Sequence, residues 1–305
     1  MVLTSPDTLP PPARAGSRLW RKALVGLIGA GIQRSLTPAM HEQEARHHGL
    51  ALHYQLIDLD HARDGEAQLP TLLAAARTMG FAGLNITFPC KQSVIPLLDE
   101  LSDEARAMGA VNTIVCRDGR LSGHNTDGAG WRWGFERTLP GADLARVALL
   151  GAGGAGSAIA HALLRMGCGR LELVDSEGAR ATALAASLNQ IHGSGRVSVA
   201  ANASAALAGA SGLVHATPTG MDKLPGLPLP AGLLHPGLWV AEIVYFPLET
   251  ALLKAARAMG CAVVDGGTMA VGQAIGAFRL FTGLEPDAAR IDAHFRSLVA
   301  SRGQD

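Results

Sequence analysis

Residues 147–175, VALLGAGGAGSAIAHALLRMGCGRLELVD, decide how this chain folds. Residues 147–150 are a short apolar run of the kind that forms a buried strand. Over 155–166, Ala155, Ala158, Ile159, Ala162, Leu163 and Met166 fall on one face of a helix. Residues 171–174 read as a second strand, ending in Asp175. Strand, glycine turn, helix, strand is a βαβ unit, and its turn carries G-x-G-x-x-G at Gly151, Gly153 and Gly156. Gly151 allows the tight turn, Gly153 lets backbone approach a pyrophosphate, and Gly156 lets helix and strand pack closely. With Ala152, Gly154 and Ala155 they lead into a helix N-terminus, whose unsatisfied N–H groups suit an anion. Asp175 lies 19 residues beyond Gly156, where an acid accepts hydrogen bonds from a ribose diol. In a chain with 37 glycines the pattern alone is weak, and a glycine turn without a ligand is the alternative. Its place between a strand and an amphipathic helix makes a bound dinucleotide the expectation. Asp175 also bears on which one. A 2′-phosphate would meet like charge there, Ser176 and Glu177 bring no cation, and Arg180 sits a full turn into the next helix. NAD is therefore expected over NADP.

Strands and helices alternate on both sides of this unit. Before it, strands are expected over 23–28, 51–56, 81–87 and 110–115, with Leu121 pairing back after an Asp118-Gly119 turn. Helices are expected over 39–48, 69–79, 94–108 (interrupted at Pro96) and 127–139. After it, strands over 197–200, 212–215, 238–243 and 262–264 alternate with helices over 179–188, 203–208 and 250–259. Helices over 269–280 and 288–300 close the chain. The fold class that follows is α/β with two domains. The N-terminal one has a mixed, mainly parallel sheet, and the second is Rossmann-like and doubly wound.

Composition bounds the function. Hydrophobic residues make up 48% and charged residues 17%, enough for a substantial core. Lys plus Arg and Asp plus Glu both number 26, so nothing points to nucleic acid or an acidic membrane as partner. A small molecule is the expected partner, and any charge that attracts it must be local. Pro6, Pro10, Pro11 and Pro12 mark the start of the chain as a mobile tail without the apolar core of a secretory signal. No run of about 18 apolar residues suggests a membrane span. The four cysteines form no C-x-x-C pair and read as buried reduced thiols of a cytoplasmic protein. No His or Cys spacing suggests a metal site, and His47 and His48, being adjacent, would point to different faces of a helix.

Two polar clusters precede the glycine turn. Asn85-Ile-Thr87-Phe-Pro-Cys-Lys91 stands at the end of a strand, where open parallel sheets bind ligands. Asn125-Thr126-Asp127 is the second, with Asn112-Thr113 upstream. An amine and a carboxylate near a carbinol can share its proton during hydride transfer. The alternatives are a solvated surface lysine at Lys91 and a helix N-cap at Asp127.

With Ser35-Leu36-Thr37-Pro38, residues 85–91, Gly109-Ala110-Val111-Asn112-Thr113, Asn125-Thr126-Asp127-Gly128, residues 151–156, Asp265-Gly266 and Gln273-Ala274 in this order, the chain resembles the shikimate dehydrogenase family. Within it the chain is similar to the NAD-dependent quinate/shikimate branch. The resemblance implies that Lys91 and Asp127 are the catalytic pair and that Ser35 and Thr37 hold the region of the substrate carboxylate. It implies that Thr87, Asn112 and Gln273 hydrogen-bond ring hydroxyls with Asn85 in support, and that Tyr245 faces substrate or nicotinamide. Thr217, Gly266 and Met269 would line the nicotinamide side. The commonest family pattern has Ser where this chain has Thr37, and Asn-Arg-Thr where it has Asp175-Ser176-Glu177; both departures resemble the quinate/shikimate branch. The implied activity is reversible oxidation of quinate to 3-dehydroquinate and of shikimate to 3-dehydroshikimate with NAD. An NADP-linked biosynthetic shikimate dehydrogenase and a non-catalytic ligand sensor are the competing readings. Motif order implies a tail over 1–21, a substrate-binding domain over 22–125 plus 268–305, and an NAD-binding domain over 126–267. The last helices bring Gln273 back to the substrate, and the interdomain cleft closes on ligand. Oligomeric state, a homodimer included, is not legible in the residues.

Overall fold

The computed structural model of the protein describes residues 21–302. The expected tail therefore lies outside the described residues, except that Arg21 already belongs to the first strand. The first half contains β1 (Arg21–Gly29), α1 (Thr37–His47), β2 (Leu50–Asp58), α2 (Leu69–Met79), β3 (Gly83–Ile86), β4 (Glu100–Leu101), α3 (Asp103–Met108), β5 (Thr113–Arg117) and β6 (Arg120–His124). Its six-stranded sheet has the order β2-β1-β3-β5-β6-β4. β1 runs parallel to β2 and β3, whereas β5 is antiparallel to both β3 and β6, so the sheet is mixed.

A long helix α4 (Asp127–Thr138) leads to β7 (Arg146–Leu150), α5 (Gly154–Arg165), β8 (Arg170–Val174), α6 (Gly178–His192), β9 (Val197–Val199), α7 (Ala203–Leu207), β10 (Gly212–His215), β11 (Trp239–Glu242), α8 (Ala251–Ala258) and β12 (Ala262–Val264). These strands form a second, fully parallel sheet in the order β12-β11-β10-β7-β8-β9. Numbered from β7, that is the doubly wound order, in which the chain reverses direction between β7 and β10 and opens a crevice at their carboxyl ends. The central strands are buried on both faces: Val147, Leu149, Leu171, Leu173 and Val214 pack with Ile159 and Leu163 of α5, and Ala148, Leu213 and Val240 with Leu252 of α8.

α9 (Gly266–Thr282) and α10 (Ala288–Arg302) return to the first sheet. Ala277 and Phe281 of α9 pack on Val25, Leu27 and Tyr54. Val271, Ala274 and Ile275 join Leu36 and Met40 of α1 and Phe295 of α10. Arg290 of α10 also grips buried Glu44 of α1 with two nitrogens, at 2.7 Å each. α9 crosses α4 on glycines. A Cβ on Gly272 would stand 2.3 Å from Gly130 O, and one on Gly130 would stand 2.5 Å from Gln273 N.

Three expectations are corrected. The helix expected over 94–108 is a short 3₁₀ turn, the strand β4 and the helix α3. Pro96 sits in the opening positions of the first piece, which ends where Leu98 turns extended, and the Ser102 hydroxyl restarts the chain as an N-cap, accepting from the Ala105 N–H at 3.2 Å. The helix expected from Met269 begins at Gly266, directly after Asp265 in extended conformation; residue 266 must be glycine, since a Cβ there would stand 2.4 Å from the carbonyl oxygens of Ile243 and Val244. Cys116 is half-buried rather than buried, although burial still pushes its thiol up to about 11, as it does for Cys90 and Cys168.

Candidate active site

Asp127 is fully buried at the first turn of α4, where the helix dipole favours a carboxylate. Its backbone N–H donates to Asn125 Oδ1 at 2.9 Å. Its side chain caps no backbone; Oδ1 accepts from Asn112 Nδ2 at 2.7 Å and Oδ2 from Lys91 Nζ at 2.6 Å. The alternative of a helix N-cap is thereby set aside. Lys91 is no solvated lysine either, for its side chain is 23% exposed. Its carbonyl accepts from the Val111 N–H at 2.8 Å, which ties the turn after β3 to the segment leading into β5. A charge-assisted pair of this length, with one member buried and the other half-buried, holds an ammonium or amine at a defined point.

Asn112 organises the surroundings. Its Oδ1 accepts from the Thr126 N–H at 2.8 Å and the Thr113 hydroxyl at 2.9 Å, and its Nδ2 serves Thr126 Oγ1 as well as Asp127. Asn85 is held from two sides. Its Nδ2 donates to Thr113 Oγ1 and Asn112 O, and its Oδ1 accepts from the Tyr54 hydroxyl at 2.7 Å. Tyr54, Thr113, Asn125 and Thr126 are thus part of the frame. Thr113, Asn125 and Thr126 stand within the polar motifs with no role implied for them by the sequence, and Tyr54 of β2 carries no sequence signal.

Ser35 and Thr37 stand at the start of α1. Ser35 Oγ accepts from the Thr37 N–H at 3.3 Å, and the Thr37 carbonyl faces His41 Nδ1 at 3.0 Å. Both are half-buried, as are Thr87 and Gln273. Thr87 backs onto β1, where a Cβ on Gly29 would come 2.2 Å from its methyl. Tyr245 packs at 4.7 Å between ring centroids on Phe246, and burial pushes its phenol up. Met269 is 5% exposed, in the apolar core that holds Trp131 and Phe135.

The glycine turn opens toward Lys91. Gly151 has φ +103°, and a Cβ on Gly156 would stand 1.9 Å from Gly151 O, so neither position accepts a side chain. A Cβ on Gly153 would meet nothing within 4 Å, and one on Gly154 would meet Lys91 Cδ at 4.0 Å. Open backbone at Gly153 and Gly154, at the start of α5 and in the crevice between β7 and β10, fits an anionic diphosphate. Lys91 therefore stands across the crevice from the turn, although 63 residues separate Lys91 and Gly154 in the chain.

Asp175 is more constrained than expected. Oδ2 accepts from the Ala152 N–H at 2.7 Å and Oδ1 from the Glu177 N–H at 2.8 Å. Arg180 is also nearer than a full turn of helix suggests. One guanidinium nitrogen lies 3.5 Å from Asp175 Oδ1 and another 2.5 Å from Glu177 Oε1. The expectation of no cation beside Asp175 is corrected: Arg180 lies in the first turn of α6, and its side chain reaches back past the helix start to both carboxylates. Thr217 packs its methyl over Gly151, and His215 and Glu242 form a buried pair beneath it. The sequence did offer a signal for that pair, a polar residue at the end of each of two apolar strands, LVH and WVAE.

The shikimate dehydrogenase substrate binding domain model matches residues 27–114, and the ThiF family model matches residues 141–204. A shikimate dehydrogenase (NADP(+)) of Streptomyces avermitilis is 57% identical over 280 residues, 91% of this chain and 96% of that protein. A quinate/shikimate dehydrogenase (NAD(+)) of Corynebacterium efficiens is 50% identical over 278 residues, 90% of this chain and 98% of that protein. The solved structure of quinate dehydrogenase from Corynebacterium glutamicum in complex with NAD superposes with a TM-score of 0.86 at 47% identity, covering 91% of this chain and 100% of that one. A two-domain α/β fold with a lysine–carboxylate pair facing a dinucleotide turn is the class these features define. The chain belongs to the shikimate dehydrogenase family.

Proposed function

We propose that this protein is an NAD-dependent quinate/shikimate dehydrogenase. It reversibly oxidises the C3 hydroxyl of quinate to 3-dehydroquinate and the equivalent hydroxyl of shikimate to 3-dehydroshikimate. The observation that carries this reading is the Lys91–Asp127 pair at 2.6 Å, set against the glycine turn. Bound NAD⁺ supplies the hydride acceptor. Lys91 Nζ, as the free amine, takes the hydroxyl proton as the carbonyl forms, and as ammonium returns it in the reducing direction. Asp127 holds that nitrogen in place and balances the positive charge it gains. Asn112 keeps Asp127 turned toward Lys91. Ser35 and Thr37 receive the substrate carboxylate region, Thr87, Asn112 and Gln273 its hydroxyls, and Asn85 and Tyr245 support the pocket walls.

The preference for NAD rests on local charge. Asp175 and Glu177 bring two carboxylates, and the one guanidinium between them, Arg180, is already paired with both. A 2′-phosphate would enter a region with a net negative balance. The competing reading, an NADP-linked biosynthetic enzyme, draws on that same Arg180 and on the similarity to the Streptomyces shikimate dehydrogenase (NADP(+)). In the division of labour we propose, residues 22–125 with 268–305 hold substrate and 126–267 hold the dinucleotide, in a cytoplasmic enzyme.

Replacement of Lys91 by Ala tests the reading. Quinate and shikimate oxidation should fall by about 10²–10⁴, the usual worth of a positioned acid–base group. Near-normal turnover in Lys91→Ala contradicts the assignment.

A further inference from the structure

Two guanidinium groups meet at Phe246 with little carboxylate around them. Arg34 lies in the loop between β1 and α1, and Arg302 is the last residue of α10. They stand 5.9 and 5.6 Å from the centroid of the Phe246 ring, within the range of a cation–π contact. Arg302 also donates to Arg34 O at 2.6 Å. Among the described residues Arg34 is paired with one carboxylate, Asp222 at 3.9 Å, and Arg302 with none. Exposed arginines elsewhere differ: Arg120, Arg257 and Arg279 each hold a carboxylate at 2.5 Å. The Arg34 side chain is 73% exposed, so its N–H groups face water. The field of Arg302 reaches Tyr245, whose phenol it pulls down against the larger rise that burial causes.

The strands place this pair beside the chemistry. β1 and β3 are parallel neighbours that end together, with Ile28 opposite Ile86. Beyond them the Ala30 N–H donates to Phe88 O at 2.9 Å, which ties the loop of Arg34 to the turn that carries Lys91. Asp58, at the end of β2, anchors the same loop. It accepts from the Gly31 N–H at 3.0 Å, the Ile32 N–H at 3.2 Å and Gln33 Nε2 at 3.0 Å. Asp222 belongs to the loop after β10, which begins with Ala216 and Thr217 packed on Gly151. Its N–H donates to Phe246 O at 3.4 Å. Arg34 is thus held between the Lys91 turn and the loop that borders the glycine turn. The chain carries no net charge, so attraction for an anion has to come from cations placed like this one.

We propose that Arg34, with Arg302 behind it, selects for an anionic substrate: it draws the carboxylate of the ring acid toward the turn that holds Lys91. The proposal rests on the reading of quinate and shikimate as substrates, both of which are carboxylates at neutral pH. Arg34 acts through its charge and takes no part in proton or hydride transfer. Phe246 and Arg302 keep that charge over the entrance, and Asp222 holds it too loosely to neutralise it.

A charge series read against salt tests this. kcat/KM for quinate and shikimate is measured with saturating NAD⁺ for the parent, Arg34→Gln and Arg34→Glu, at ionic strengths of about 0.01 and 1 M, where charges act over about 30 and 3 Å. At low salt Arg34→Gln should lose about two- to fivefold, and Arg34→Glu the same factor again, with the loss in KM. At high salt the three proteins should agree within about twofold. Arg302→Gln should show a salt-dependent loss in the same direction. Equal losses in Arg34→Gln and Arg34→Glu at both ionic strengths would make Arg34 a structural residue and overturn the proposal. Parent-like rates in both variants, or an equal rise in KM for NAD⁺, overturn it as well. All three outcomes leave the proposed function standing. A parent that oxidises neither acid overturns the function, and this proposal with it.

Discussion

Lys91 and Asp127 are 36 residues apart in the chain and 2.6 Å apart in space. Each alone had an ordinary explanation in sequence, and only a family frame joined them. Their geometry supplies a physical reason for the pairing, since Asp127 has no other cation among its hydrogen-bond partners and Asn112 occupies its second oxygen. Asp127→Asn keeps the shape, removes the charge and should cost about 10²–10⁴ in kcat measured by initial rates. A loss confined to KM would place Asp127 in binding alone. Asp175 was half legible. Its position at the end of β8 followed from spacing, whereas its bonds to the Ala152 and Glu177 N–H groups and the approach of Arg180 depend on how α6 begins, which spacing does not encode. If charge sets cofactor choice, Glu177→Arg should lower the NAD⁺ to NADP⁺ ratio of kcat/KM by tenfold or so, about 1.4 kcal/mol. An unchanged ratio would assign the choice to other residues.

At the scale of elements, periodicity located most helices and strands and misjudged those that tertiary contacts define. Gly266-Gly267-Thr268 has poor helix propensity, yet it forms the first turn of α9, with close packing beneath the Ile243 and Val244 carbonyls requiring the glycine at 266. Residues 94–108 have helical composition, yet β4 pairs with β6 and Ser102 caps a new helix. The crossing of α4 and α9 was not legible at all, because the meeting of Gly130 with Gly272 is a fact of packing between distant segments. Gly272→Ala adds a methyl 2.3 Å from Gly130 O and must push the helices apart. The expected cost is about 1–3 kcal/mol in denaturant unfolding, with quinate and shikimate KM raised through Gln273 on the next residue. Full stability in this variant would show that the crossing tolerates a wider separation.

For the whole molecule, Lys91, in the turn after β3 of the first sheet, stands beside the glycine turn that follows β7 of the second. The order of motifs made that architecture legible, since the glycine turn, the two polar clusters and the returning helices appear in one sequence. The cores behind the crevice also set how the fold responds to acid. Burial holds His41 at about 4, well below the 6.5 of a free imidazole, against the pull of its bond to the Thr37 carbonyl. Its ring lies against Tyr54, Phe278 and Phe281. As pH falls, the unfolded chain takes up a proton before the folded one does. The stability that neutral His41 provides is whole above about 6.5 and is lost progressively toward 4, up to about 3 kcal/mol. Thermal midpoints should therefore drop between pH 7 and 5, and less steeply in His41→Phe; parallel drops would clear His41 of the effect. The most direct test of the central claim is a panel of initial rates for quinate and shikimate, each with NAD⁺ and with NADP⁺. The account predicts reduction of NAD⁺ by these substrates with a higher kcat/KM than for NADP⁺. Preference for NADP⁺, or no turnover of either substrate, would contradict it.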